Sequence, residues 1–208
     1  MDQLGFRLYL VTDRGQTGGR PLVEVVEECL AAGLRAVQLR EKDLPDDELM
    51  ALARSLRDLT RRVGARLFIN GRDDVALAVE ADGLQRGHDA APVSVLKSRA
   101  PGLMIGASVH NLEEARTAER DGANFIVFGP VYDTPSKRSY GPPQGLGALA
   151  SVVRVVSVPV FAIGGITPDR VAAVRVAGVH GVAVISAILG AERPAEATKR
   201  FIEALGSA

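Results

Sequence analysis

Short apolar and β-branched runs recur along the whole chain, at Leu8–Val11, Ala36–Leu39, Leu67–Ile69, Gly83–Gln85, Met104–Ala107, Phe125–Phe128, Val160–Ile163 and Gly181–Ile185. Each has the length and bounding residues of a buried strand. Segments with helical period lie between them. The clearest, residues 45–64, places Leu49, Leu52, Ala53, Leu56 and Val63 on one face and ends on Gly64, which suits a helix C-terminus. Asn111 and Glu114 have capping-box spacing, while Thr167, Pro168 and Gly178 mark the start and stop of a later helix. The stretches after the third and fourth strands carry only a weak helical signal.

Eight strands alternating with helices predict a parallel sheet. Closing it into a (βα)8 TIM barrel of minimal size satisfies every strand without leaving an edge. A doubly wound open sheet is the alternative, but no Gly-x-Gly-x-x-Gly follows the first strand. No linker or change in composition divides the chain, so residues 1–208 are expected to form one domain.

Charge narrows the function classes. Lys plus Arg and Asp plus Glu both number 25, which gives no broad basic field for nucleic acid or an anionic membrane. Any anion must be captured locally. No apolar run is long enough to cross a bilayer, the first residues lack the pattern of a signal peptide, and a cytoplasmic location is expected. The single cysteine, Cys29, is in phase with Leu22, Val25, Val26 and Leu30 and reads as core packing.

In such a barrel the chemistry sits where strands end and loops converge. Those positions carry Thr12-Asp13-Arg14, Gln38 to Lys42, Asn70, the turn from Gln85 to Asp89, Ser108 to His110, a Gly/Pro-rich loop over residues 129–145, Gly164-Gly165, and Ser186. Strand alternation points Gln38 and Arg40 the same way, and Lys42 follows if the chain stays extended. Gly164, Gly165 and Ser186 stand after strands seven and eight, where backbone N–H groups and a short helix can hold a phosphate. His88 and His180 lack the spacing of a transition-metal site, and the plain reading of His110 is a donor to a nearby carbonyl. Asp73, Asp74, Asp82 and Asp89 lie on adjacent turns, a hard-cation arrangement or simply a solvated one.

Taken in order, "QLREK", "IN", "GASVHNLEEA", "FGPVYDTPSK", "AIGGITPD" and "GVAVISAI" resemble the thiamine phosphate synthase and TenI family, from Leu8 to the last helix. The resemblance implies a (βα)8 barrel that joins hydroxymethylpyrimidine diphosphate to thiazole phosphate, giving thiamine phosphate and pyrophosphate. It implies Gln38, Arg40, Lys42 and Asn70 at the diphosphate and Ser108 beside the reacting centre. Lys137 would neutralise the leaving pyrophosphate, with Thr134, Gly164, Gly165 and Ser186 at the thiazole phosphate. The 129–145 loop would be a lid carrying Thr134, Lys137 and Arg138, unless Pro142-Pro143 make it a rigid structural loop.

The family's Mg2+-binding aspartates correspond to Gly71 and Ala90 here, leaving Asp74 and Asp89 as candidate substitutes. The TenI branch implies a tautomerase histidine after the strand-six glycine, where this chain has Pro130. Synthase chemistry is therefore set beside two alternatives: a thiazole tautomerase using His88 or His110, and a non-catalytic binder of thiazole or thiamine phosphate. The expected partners are small phosphorylated pyrimidine and thiazole molecules, with no nucleic acid and no membrane; a homo-oligomer is admitted.

Overall fold

The computed structural model describes residues 4–87, 90–134 and 142–206. Its strands are β1 (Leu8–Val11), β2 (Ala36–Leu39), β3 (Arg66–Asn70), β4 (Gly83–Arg86), β5 (Met104–Val109), β6 (Phe125–Phe128), β7 (Val160–Ile163) and β8 (Gly181–Val184). They pair in parallel, in sequence order, and β1 closes on β8, making the expected barrel. The helices are α1 (Leu22–Ala31), α2 (Asp46–Val63), α3 (Asp73–Ala78), α4 (Val93–Arg99), α5 (Leu112–Arg120), α6 (Gly145–Val153), α7 (Val171–Val176), α8 (Ser186–Leu189) and α9 (Pro194–Leu205).

Local signals account for most boundaries. Gly64 ends α2 at φ 64°, a left-handed conformation that costs glycine nothing sterically. Asn111 caps α5 by accepting a bond from the Glu114 amide at 2.9 Å. The segments after β3 and β4 do form helices, of 6 and 7 residues, held by Val75, Ala76, Val93 and Leu96 against the barrel rather than by propensity. On α2 the buried face includes Leu59 and Thr60, while Val63, in the last turn, is 38% exposed, contrary to the periodicity. β5 runs on to Val109, which puts Ser108 inside a strand rather than in the loop beyond it.

Alternation splits the strand residues into two shells. Leu8, Leu10, Val37, Leu39, Leu67, Ile69, Leu84, Ile126 and Val182 face outward and pack beneath the helices. Cys29 belongs to this shell, where burial pushes its thiol up to about 11. The inner shell is aromatic: Tyr9, Phe68, Phe125 and Phe161 converge on the axis, and Phe6 plugs them from below. Phe6 stacks on Phe161 at 5.2 Å between centroids, and Phe68 meets Phe125 edge-on at 5.4 Å, contacts of a kind that contribute about 0.5–1.5 kcal/mol each beyond burial.

Glycine makes this filling feasible. Phe68 pairs with Gly83, Phe125 with Gly106, and Phe161 with Gly181 across neighbouring strands. A Cβ at any of the three glycines would collide with the paired ring. The N-terminal plug is tied down by Arg66 Nε donating to the Leu4 carbonyl and by His180 Nε2 lying 3.0 Å from the Phe6 carbonyl oxygen.

Gly106→Ala should therefore destabilise the protein by about 1–3 kcal/mol through overpacking. Phe125→Leu on the same face should make room, so the double variant should lose less than the sum, with a coupling of roughly 0.5–3 kcal/mol in urea unfolding. Simple additivity would show that the ring does not limit the space at residue 106.

Candidate functional site

Above the aromatic layer the inward-facing residues divide by sector. Strands β2 to β5 present Gln38, Asn70, Gln85 and Ser108, whereas β6, β7, β8 and β1 present Val127, Ile163, Ala183 and Val11. One arc of the mouth is thus polar and the other apolar. Gln38 and Gln85 are buried at 3% and 1% exposure, and Asn70 and Ser108 are half-buried. Gln85 Nε2 donates to Ser108 Oγ at 3.0 Å. Beneath them burial holds the Tyr9 phenol well above its ordinary pKa, so it remains protonated, with the Gln38 amide facing it.

The β2 loop is held from the β1 loop. Thr12 Oγ1 accepts from the Arg40 amide at 2.9 Å. The Glu41 carboxylate, only 2% exposed, accepts from the Arg14 amide at 3.1 and 3.2 Å and from Arg14 Nη1 at 3.2 Å. The same guanidinium grips Asp43 in a bidentate pair at 2.7 and 2.8 Å and holds that carboxyl below the usual carboxylate range. Glu41 is thus buried against Arg14, while Arg40 is half-buried and Lys42 exposed. Lys42 already lies in a turn, so the extended strand that would have aligned it with Gln38 and Arg40 has ended before it. Among the described residues neither Arg40 nor Lys42 has a carboxylate partner. Arg14 and Glu41 escape a reading confined to convergent side chains; an arginine after strand one and a glutamate between two cations were the available signal.

The β6 and β7 loops are also joined. The Val131 amide donates to the Ile163 carbonyl at 2.8 Å and the Tyr132 amide to the Gly164 carbonyl at 3.1 Å. Gly164 and Gly165 have φ of 102° and 62°, and a Cβ on Gly165 would lie 2.7 Å from the Asp133 carbonyl oxygen. Only glycine satisfies both the dihedral and the close approach. Arg170 braces the junction by donating to the Gly165 carbonyl at 2.6 Å while its guanidinium lies 4.5 Å over the Tyr132 ring. Among the described residues the Gly164, Gly165 and Ser186 amides donate to no protein acceptor. The Gly/Pro-rich loop is closed at its base by Gln144 donating to the Pro130 carbonyl and Gly145 to that of Val131. Thr134 is half-buried at its start; Ser136, Lys137 and Arg138 lie outside the described residues, as do His88 and Asp89.

Among the described residues two of the candidate Mg2+ ligands, Asp74 and Asp82, are committed to other partners. Both Asp74 oxygens are taken by Arg72, at 2.9 and 2.8 Å, which depresses the Asp74 pKa and removes it as an uncommitted ligand. Asp82 is bonded to Arg57 and to the Leu67 amide at the opposite, N-terminal end of the strands. No group of three or more His, Cys, Asp or Glu suited to a metal occurs among the described residues. His110, the described candidate base for a tautomerase, is bound through Nδ1 to Glu114 at 3.1 Å.

A family model described as thiamine monophosphate synthase matches residues 8–188. The chain is 46% identical over 197 residues to a thiamine-phosphate synthase of Moorella thermoacetica, covering 94% of each, and 44% identical to one of Roseiflexus castenholzii, covering 94% of this chain and 86% of that one. A solved structure titled thiamine phosphate pyrophosphorylase, from Pyrococcus furiosus, superimposes with a TM-score of 0.90 at 42% identity, covering 97% of this chain and 96% of that one.

Three outcomes follow from the site's geometry. Arg14→Ala should free the β2 loop and weaken binding of inorganic pyrophosphate, measured by calorimetry, on the order of tenfold or more, the scale of a small misplacement of binding groups. Since Arg14 holds the Asp43 pKa down, the stability this pair adds is present at neutral pH and is lost as pH falls through the depressed pKa; Asp43→Asn should flatten that part of the melting-temperature profile. Separately, the space around Gly71 is open and its φ of 69° is one that aspartate tolerates. The double substitution Gly71→Asp and Ala90→Asp should therefore increase the Mg2+-dependent part of pyrophosphate affinity relative to the unaltered protein; no gain would indicate that other carboxylates already hold the ion.

Proposed function

Since the chain belongs to the thiamine monophosphate synthase family, we propose that it joins hydroxymethylpyrimidine diphosphate to thiazole phosphate, releasing pyrophosphate and forming thiamine phosphate. The observation that carries this reading is that Arg40 and Lys42, just after β2, have no carboxylate partner among the described residues, because the carboxylate between them, Glu41, is held by Arg14 in a part-buried contact. A group that must accept a leaving diphosphate needs fixed positive charge with no competing protein anion.

In this scheme Gln38 and Asn70 orient the pyrimidine diphosphate and Arg40 and Lys42 hold its phosphates. The C–O bond to the diphosphate breaks with its electron pair leaving on pyrophosphate. The carbocation on the exocyclic carbon is then captured by the lone pair of the thiazole nitrogen, forming the C–N bond. Ser108 stands on β5 beside the reacting centre. Thr134, Gly164, Gly165 and Ser186 take the thiazole phosphate, whose three oxygens match the uncommitted amides of the β7 and β8 loops. Val127, Ile163 and Val11 supply an apolar wall that keeps water from the cation. Charge neutralisation is assigned to Arg40, Lys42 and Lys137, and no step passes through a metal.

Incubation with both substrates, with and without Mg2+, should yield thiamine phosphate. Thiazole phosphate binding without any turnover would mark a non-catalytic binder instead. Lys137→Ala should reduce product formation on the order of 10²-fold, the loss of one charge-assisted contact worth about 2–4 kcal/mol in the transition state, and should alter thiazole phosphate affinity far less. A substitution that abolished that affinity while sparing turnover of the bound complex would place Lys137 at the wrong phosphate.

A further inference from the structure

Gln85 has a role to be explained that the proposed chemistry does not use. It lies on β4, is 1% exposed, and gives one amide hydrogen to Ser108 Oγ at 3.0 Å, while its Oε1 is buried with no hydrogen-bond partner. An unsatisfied carbonyl in a barrel interior costs about 1–3 kcal/mol. A residue that only filled space would carry no such cost as leucine or methionine. Its placement depends on the neighbouring strand: a Cβ on Gly106 would collide with Gln85 Oε1, so the glycine that admits the Phe125 ring also admits this amide.

The bond fixes the polarity of Ser108. A serine hydroxyl has one hydrogen to donate and two lone pairs. Gln85 Nε2 can only donate, so Ser108 Oγ must accept, and its own hydrogen is left for another acceptor. Ser108 is half-buried at the polar arc and makes no other side-chain bond among the described residues. We propose that Gln85 is a positioning residue that presets the Ser108 hydroxyl as a hydrogen-bond donor towards the substrate in the mouth of the barrel. This rests on the synthase reading of the site.

The test inverts the bond. Gln85→Glu is nearly isosteric but, once ionised, only accepts, so Ser108 must turn its hydrogen inward. The variant should lose about tenfold or more in kcat with little change in the KM for thiazole phosphate, a loss of the size expected for one misdirected hydrogen bond. Its activity should also gain a new descending limb with rising pH, because the protonated carboxyl still donates and the carboxylate does not. With Ser108→Ala already present, the same substitution should change kcat less than about threefold, since the group it acts through is gone.

Additive losses in the two variants, or no new pH limb, would overturn the inference while leaving the synthase reading intact. A wild-type protein that forms no thiamine phosphate would overturn both. Should Gln85→Glu not fold, as judged by circular dichroism, Gln85→Met removes the donor at similar volume, and the same cycle with Ser108→Ala decides: coupled losses support the positioning role and additive ones reject it.

Discussion

The structure depends on how the inside of an eight-stranded ring is filled. Such a ring leaves room for side chains and little else, and this chain fills the lower half with large rings instead of layers of aliphatic residues. Phe68, Phe125 and Phe161 each need the neighbouring strand to surrender its side chain, which Gly83, Gly106 and Gly181 do. The ring–glycine pairing sets the height at which the interior becomes solid. Everything chemical then has to occur in the single layer above it, where Gln38, Asn70, Gln85 and Ser108 begin.

That layer is organised less by the groups that meet a ligand than by those that hold them. Arg14 touches neither Arg40 nor Lys42 through its side chain, yet by neutralising Glu41 and clasping Asp43 it leaves the two cations unpaired. Arg72 does the reverse to Asp74, committing a carboxylate that would otherwise be available. The site's charge balance is thus decided by which ion pairs close behind the loops. Membership in the thiamine monophosphate synthase family makes the excess positive charge chemically reasonable, because a departing pyrophosphate is what such an excess suits.

Much of this is legible in the sequence because alternation and helical period report burial directly. All eight strands are readable, and the capping signals at Gly64 and Asn111 fall at element ends, while Pro168 opens a single 3-10 turn, Pro168–Arg170, that leads into α7. What periodicity does not report is contact between distant strands. It could not show that Leu59 outranks Val63 on α2, since both fit the helical pattern and only proximity to the barrel separates them. The helices after β3 and β4 were faint because they owe their existence to packing. Asp74 looked like an ion ligand until its distance to Arg72 was known, and the bonds joining Arg14 to Glu41 and Gln85 to Ser108 span 27 and 23 residues, beyond any local pattern.

The plug formed by Leu4 and Phe6 has one more consequence. With His180 and Arg66 tying those residues across the N-terminal ends of the strands, and the aromatic rings stacked directly above, the barrel is a cup with a sealed base. A cup has one doorway. Anything that reaches the polar layer therefore does so from the C-terminal ends of the strands, and the base contributes rigidity rather than access.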